Sequence, residues 1–248
     1  MARPRTSVRT TVRAAVMLAV LAGIAVLTYL GIRYFIPQPL NEIYSPREIA
    51  LFHQVAFRID LDDLDTSCTI RGDCGLDPVR IVKWETDIRL WITGKVTNED
   101  RDELLRITAE LDDLLPDLSV EVTDDRLAAN IIVAYNPRTD LPPDEAPHPL
   151  GFAAPRGDTL AFTTAAIFID SLQAPRPRQV ILRHELMHAI GFSFHSIAHP
   201  DSVLFVRPTD EITYPPVFSA VDNAIIRILY DPRVLPGMTL GDLQHLGL

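Results

Sequence analysis

No aspartate or glutamate occurs before Glu42 in this chain of 248 residues, although 33 acidic residues follow. The N-terminal stretch instead carries Arg3, Arg5, Arg9 and Arg13, and then nineteen residues without a charge, Ala14 to Ile32. That run is dense in Ala, Val, Leu and Ile, and it is about long enough to cross a bilayer once as a helix. It exceeds the apolar core of roughly 7 to 15 residues in a cleavable signal peptide, and no clear A-x-A site follows it. A transmembrane signal anchor over 14–36 is therefore the expectation, with a cleaved signal peptide as the alternative. Arginines on its N-terminal flank place residues 1–13 in the cytoplasm and everything after Arg33 outside, in a periplasmic or extracellular location.

Basic residues are scarce beyond the apolar run. Of the 23 lysines and arginines, 18 follow Arg33, against 33 acidic residues, which gives that part a net charge of −15. Such a surface excludes a nucleic-acid partner, which needs a basic footprint. Cysteine is scarcer still. Cys68 and Cys74 are the only two, and outside the cytoplasm so short a loop reads as a disulfide, with two free thiols as the alternative. Asp60, Asp62, Asp63 and Asp65 form an acidic stretch without the glycine and terminal glutamate of an EF-hand loop, and read as a solvated segment. Internal repeats are absent.

Beyond Val79, alternation and helical periodicity interleave, which indicates an α+β or α/β body over 79–248. Ser45-Pro46-Arg47-Glu48 has the pattern of a helix start and predicts a short helix to Phe57. Residues 37–78 are left open between a propeptide, a stalk with the Cys68–Cys74 loop, and part of the fold. Ile88 to Ile92 alternates like a strand. Asn98 is placed to cap a helix over 99–115, whose Leu104, Leu105, Ile107, Leu111 and Leu114 form an apolar stripe. Strands are predicted over 118–122, 130–134 and 160–169, the last at a sheet edge. Pro137 to Pro149, with five prolines, reads as a loop. Helices over 176–190 and 219–229 complete the pattern.

The helix over 176–190 carries His184-Glu185-Leu186-Met187-His188. Side chains four residues apart share one helix face, so the two imidazoles can converge on one ion. Glu185 points about 100° around the helix, where a carboxylate can meet a metal-activated water without ligating the metal. Zinc needs a third ligand. Gly191 can adopt the left-handed conformation that ends a helix and turns the chain back, which makes His195 the candidate, with His199 or Asp201 as substitutes. A third ligand from a downstream helical glutamate is disfavoured, because Glu211 is the only glutamate after Glu185 and sits in a Thr- and Pro-rich segment. His53 and His245 read as surface residues, and His148 as a proline-loop residue.

His184, Glu185, His188 and Gly191, followed by His195, resemble the metzincins, zinc peptidases with the pattern H-E-x-x-H-x-x-G-x-x-H and a methionine-containing turn. Two departures stand out. The third histidine comes at 195, one residue late, where the pattern expects position 194, here Phe194. Leu204, within Ser202-Val203-Leu204-Phe205, stands where the turn's methionine would be. The wider run from Leu182 to Phe192, with His199 to Phe205, Val221-Asp222, Leu229 to Pro232 and Pro236 to Met238, is similar to a bacterial metzincin-related family of unassigned function. The resemblance implies a small mixed sheet packed on two long helices, with the strand over 160–169 lining a cleft that accepts a peptide. It implies zinc held by His184, His188 and His195, Glu185 as general base, and a peptide or protein substrate. A module that keeps the fold for binding or assembly in the cell envelope, without cleaving, is the non-enzymatic alternative. Arg71 to Asp77 loosely resembles, in scrambled order, the matrix-metalloprotease latency motif, which would make a cysteine a thiol switch.

Overall fold

Strand pairing organises the domain. In the computed structural model, which describes residues 21–24, 37–57, 79–137, 151–157, 161–206 and 215–248, five strands form one mixed sheet in the order β2-β1-β3-β5-β4. These are β1 (Ile88–Gly94), β2 (Val120–Val122), β3 (Ile131–Asn136), β4 (Gly151–Gly157) and β5 (Phe162–Asp170). β1 runs parallel to β2 and β3, β3 runs parallel to β5, and β4 closes the edge antiparallel to β5. This is a mixed α/β architecture in which four parallel strands meet one antiparallel edge strand.

The helices are α1 (Pro46–Phe57), α2 (Asn98–Leu114), α3 (Pro175–Ile190), α4 (Ala220–Leu229) and the short α5 (Leu240–Leu243). On β1 and β3, Ile88, Leu90, Ile92, Ile131, Val133 and Tyr135 point into the core at every second position, as the two-residue period of a strand demands. α2 packs on β2, and α3 packs on β4 and β5 beside α2. α3 is buried nearly all round, including Ile181, Leu182, Leu186, Met187 and Ile190, so it is a central helix of the core.

The strand over 160–169 was expected at an edge and is internal. β4 is the edge, and no element was expected there. Its sequence, Gly-Phe-Ala-Ala-Pro-Arg-Gly, has glycine at both ends and Pro155 within, which reads as a loop; an edge strand tolerates a proline because one of its sides has no ladder to break. The cap of α2 is Thr97, one residue before the expected Asn98. Thr97 Oγ1 accepts from the Asp100 backbone N–H, and the Asp100 carboxylate accepts from the Thr97 N–H, a reciprocal pair that satisfies two helix-end donors.

The chain divides into two units, Met1–Pro39 and Leu40–Leu248. Residues 21–24 of the first are helical. Among the described residues no helix is long and apolar enough to cross a membrane, and most of the expected 14–36 anchor lies outside them. So do Cys68, Cys74, His148 and the acidic stretch from Asp60. In the second unit, Leu40, Leu51, Phe52, Val55 and Phe57 are fully buried in the core. His53, expected at the surface, is half-buried on α1, and burial lowers its pKa to about 4.

Two buried arginines of α3 pair with carboxylates of α2. Arg178 Nη2 lies 3.1 Å from Asp100 Oδ2. Arg183, fully buried, lies 3.2 Å from Glu103 Oε1 and 2.8 Å from Glu110 Oε2, with its guanidinium 4.5 Å from the centre of the Phe218 ring. The end of α3 is equally well supplied. Trp84 Nε1 donates to the Ala189 carbonyl and the Tyr230 hydroxyl to the Ile190 carbonyl, each at 2.8 Å, so last-turn acceptors that a helix leaves unpaired find buried donors. Gly191 then takes φ +135°. Its N–H bonds to the His188 carbonyl and that of Phe192 to the Met187 carbonyl, the paired bonds of a Schellman ending.

A Cβ on Gly191 would lie 2.6 Å from the Val82 carbonyl oxygen and 3.0 Å from Leu229 Cδ2. Gly191→Ala is expected to destabilise the domain by about 2 kcal/mol or more, from the positive φ and the backbone clash together, read as a lower denaturant midpoint. A second expectation concerns acid. His53 has an ordinary pKa of 6.5 and a folded-state pKa of about 4, so the unfolded chain binds the extra proton and stability falls as pH drops between those values. In His53→Leu, urea midpoints measured from pH 7 to pH 4 should fall less steeply than in the wild type; an unchanged slope would rule out His53 as a contributor.

Candidate metal centre

Three imidazoles converge where α3 ends. The Nε2 atoms of His184 and His195 are 3.0 Å apart, those of His184 and His188 3.1 Å, and those of His188 and His195 3.1 Å. A point about 2.0–2.1 Å from all three, the usual zinc–imidazole distance, exists about 1 Å out of the plane of this near-equilateral triangle. The group forms a gradient from buried His184 through half-buried His188 to exposed His195, so one side of that point faces solvent.

Hydrogen bonding decides which nitrogens can ligate. His184 Nδ1 is 2.8 Å from the Val203 carbonyl oxygen and His188 Nδ1 is 2.6 Å from that of Phe192. A carbonyl can only accept, so each Nδ1 carries the proton and each Nε2 of a neutral ring presents its lone pair. Lone pairs facing one another at 3.1 Å repel unless a cation lies between them, and three imidazole nitrogens form a donor set suited to zinc. The residues therefore fit the metal.

Local sequence explains the arrangement. His184 and His188 share a face of α3 by helical spacing. The Schellman turn at Gly191 aims the Phe192 carbonyl back at His188, and the following loop brings His195 against His184, with the two rings 15° from parallel. Glu185 is buried on the same helix at 5% exposure. Among the described residues, the possible metal group consists of His184, His188 and His195. Neither proposed substitute joins it: His199 is buried away from it, its pKa lowered chiefly by burial and then by Arg47, and Asp201 pairs with Arg47. His245 is exposed, as expected.

The turn from Ser202 to Phe205 meets the site through the Val203 carbonyl, and Val203 and Leu204 are fully buried. It is held by Asp222, a residue that sequence reasoning did not single out for the site. Asp222 Oδ1 accepts from Ser202 Oγ at 2.6 Å, and Oδ2 accepts from the Val203 N–H at 3.2 Å. The same carboxylate caps α4 by accepting from the Ser219 N–H and hydroxyl, each at 2.9 Å. Burial pushes the Asp222 carboxyl pKa up while these bonds pull it down. Ser219-x-x-Asp222 has the spacing of a helix cap, so the capping half was legible, but the reach across to Ser202 joins residues twenty positions apart. Through Val203, Asp222 orients the carbonyl that sets the His184 tautomer, an outer contact of the kind that tunes metal ligands.

Comparison with known proteins adds a family and no activity. A search of curated proteins finds no match. A model of a protein family of unknown function, DUF2927, matches residues 49–246, which include His184, Glu185, His188, Gly191 and His195, and the chain belongs to that family.

Proposed function

We propose that this protein is a membrane-anchored, zinc-dependent endopeptidase of metzincin type that acts on extracytoplasmic proteins. One observation carries the reading: three histidine nitrogens within 3.0–3.1 Å of one another, two of them presented as lone pairs by carbonyl-bound Nδ1 atoms. Further support comes from the buried Glu185 beside them, the glycine turn between the second and third ligands, and the antiparallel edge strand β4 packed against α3. The arginine-flanked apolar run from Ala14 to Ile32 supports the anchor and the outward orientation.

Zinc in this site would supply a Lewis acid that polarises a carbonyl and acidifies water. His184 and His188 hold their ring planes through the Val203 and Phe192 carbonyls, so the ligand geometry is set before substrate arrives. The Glu185 carboxylate takes a proton from the attacking water and passes it to the leaving nitrogen as the peptide bond breaks. The outer backbone edge of β4 can pair with an extended substrate, which places the scissile bond by main-chain hydrogen bonds rather than by side-chain identity.

The purified full chain in detergent is expected to carry one zinc per molecule by elemental analysis, with His195→Ala binding it at least about tenfold more weakly. A chain without zinc sinks the proposal. Glu185→Gln should keep the zinc and lower peptide hydrolysis by about 10²- to 10⁴-fold; cleavage at the wild-type rate would exclude Glu185 as the base. Zinc binding with no cleavage of a broad peptide library would favour the non-cleaving envelope module instead.

A further inference from the structure

Both neighbours of His195 are fastened to the last turn of α1. The Phe194 N–H donates to the Val55 carbonyl at 3.0 Å, one of the acceptors that a helix C-terminus leaves unpaired. Ser196 Oγ donates to Gln54 Oε1 at 2.7 Å, and these two residues are 0% and 5% exposed. The Ser196 hydroxyl also accepts from the Ala198 and His199 N–H groups, both at 3.2 Å. Its backbone is bound as well, the N–H to the Leu204 carbonyl and the carbonyl to the Val206 N–H, each at 2.9 Å. Ser196 is thus the knot of the loop, and Gln54 is the point at which that knot is tied to another element.

The metzincin-like spacing would bring the third ligand at position 194, and here it arrives at 195. An added residue gives a loop additional conformations, and each must be removed if the ligand is to be held in place. Resting on the zinc reading above, we propose that Gln54, with the last turn of α1, is a positioning element for the third metal ligand. It fixes residues 194 and 196 so that the late His195 points at His184 and His188. The closing of the site then depends on a helix about 140 residues away in sequence, outside the H-E-x-x-H segment.

The test uses the full chain. Zinc affinity is measured by chelator competition for wild type, Gln54→Leu, Ser196→Ala and the double variant, together with the visible spectrum of the cobalt-substituted forms. Each single variant is expected to bind zinc about 10- to 100-fold more weakly, to show an altered cobalt spectrum, and to lose part of the zinc-induced rise in Tm. The double variant should be no weaker than Ser196→Ala alone, because that variant already removes the Gln54–Ser196 bond together with the hydroxyl's bonds to the Ala198 and His199 N–H groups. Ser196→Ala reads that bond from its other end if Gln54→Leu does not fold. Thr239→Ala, which removes the cap of α5, should lower Tm and leave zinc affinity and the cobalt spectrum unchanged. Wild-type affinity and spectra in both single variants, or effects that simply multiply in the double, overturn the inference while the zinc site stands. A wild-type chain that holds no zinc overturns both.

Discussion

The backbone of Gly191 is the constraint on which the histidine triangle depends. Its φ of +135° is open to glycine and strained for any residue with a side chain. Its Cα also sits too close to the Val82 carbonyl and Leu229 to carry a Cβ. That one conformation has three consequences at the site. It ends α3 two residues after His188, turns the Phe192 carbonyl back on His188, and starts the loop that carries His195. A longer helix would carry residue 195 away along its axis, at 1.5 Å per residue.

Around this turn the chain spends buried polar groups on orientation. Arg183 is fully buried next to His184 in sequence and is met by Glu103, Glu110 and the Phe218 ring. Asp222 serves the start of α4 and the turn that contacts His184 with one carboxylate. Buried pairs of this kind contribute little net stability compared with apolar packing. What they supply is fixed geometry, because a charge in the core tolerates few alternative placements before its desolvation cost goes uncompensated. α3 is accordingly held from α2, from the Trp84 and Tyr230 side chains at its end, and from the sheet.

Much of the fold was legible along the chain. The strand at Ile88 and the strand after Asn130 alternate with period two and occur within a residue or two of the expected bounds. The helices over Pro46–Phe57, Asn98–Leu114 and Ala220–Leu229 follow from capping residues and periodic apolar positions, and that over Pro175–Ile190 from the prolines at its start. What escaped was relational. β4 has a loop-like composition and becomes a strand because β5 offers it a ladder. β5 moved from an edge to the interior for the same reason. His53 reads as a surface histidine until α1 is docked, since one helical residue carries no sign of what packs over it.

His184, Glu185 and His188 share one helix by spacing alone, because a separation of four residues is a property of the α-helix and requires no partner. The sequence also determined the turn at Gly191, through the single residue type that its φ admits. That His195, and not His199 or Asp201, completes the triangle follows from the folded chain. That choice rests on contacts from Val55, Gln54 and Asp222, and a loop's direction is set by whatever it is fastened to in space.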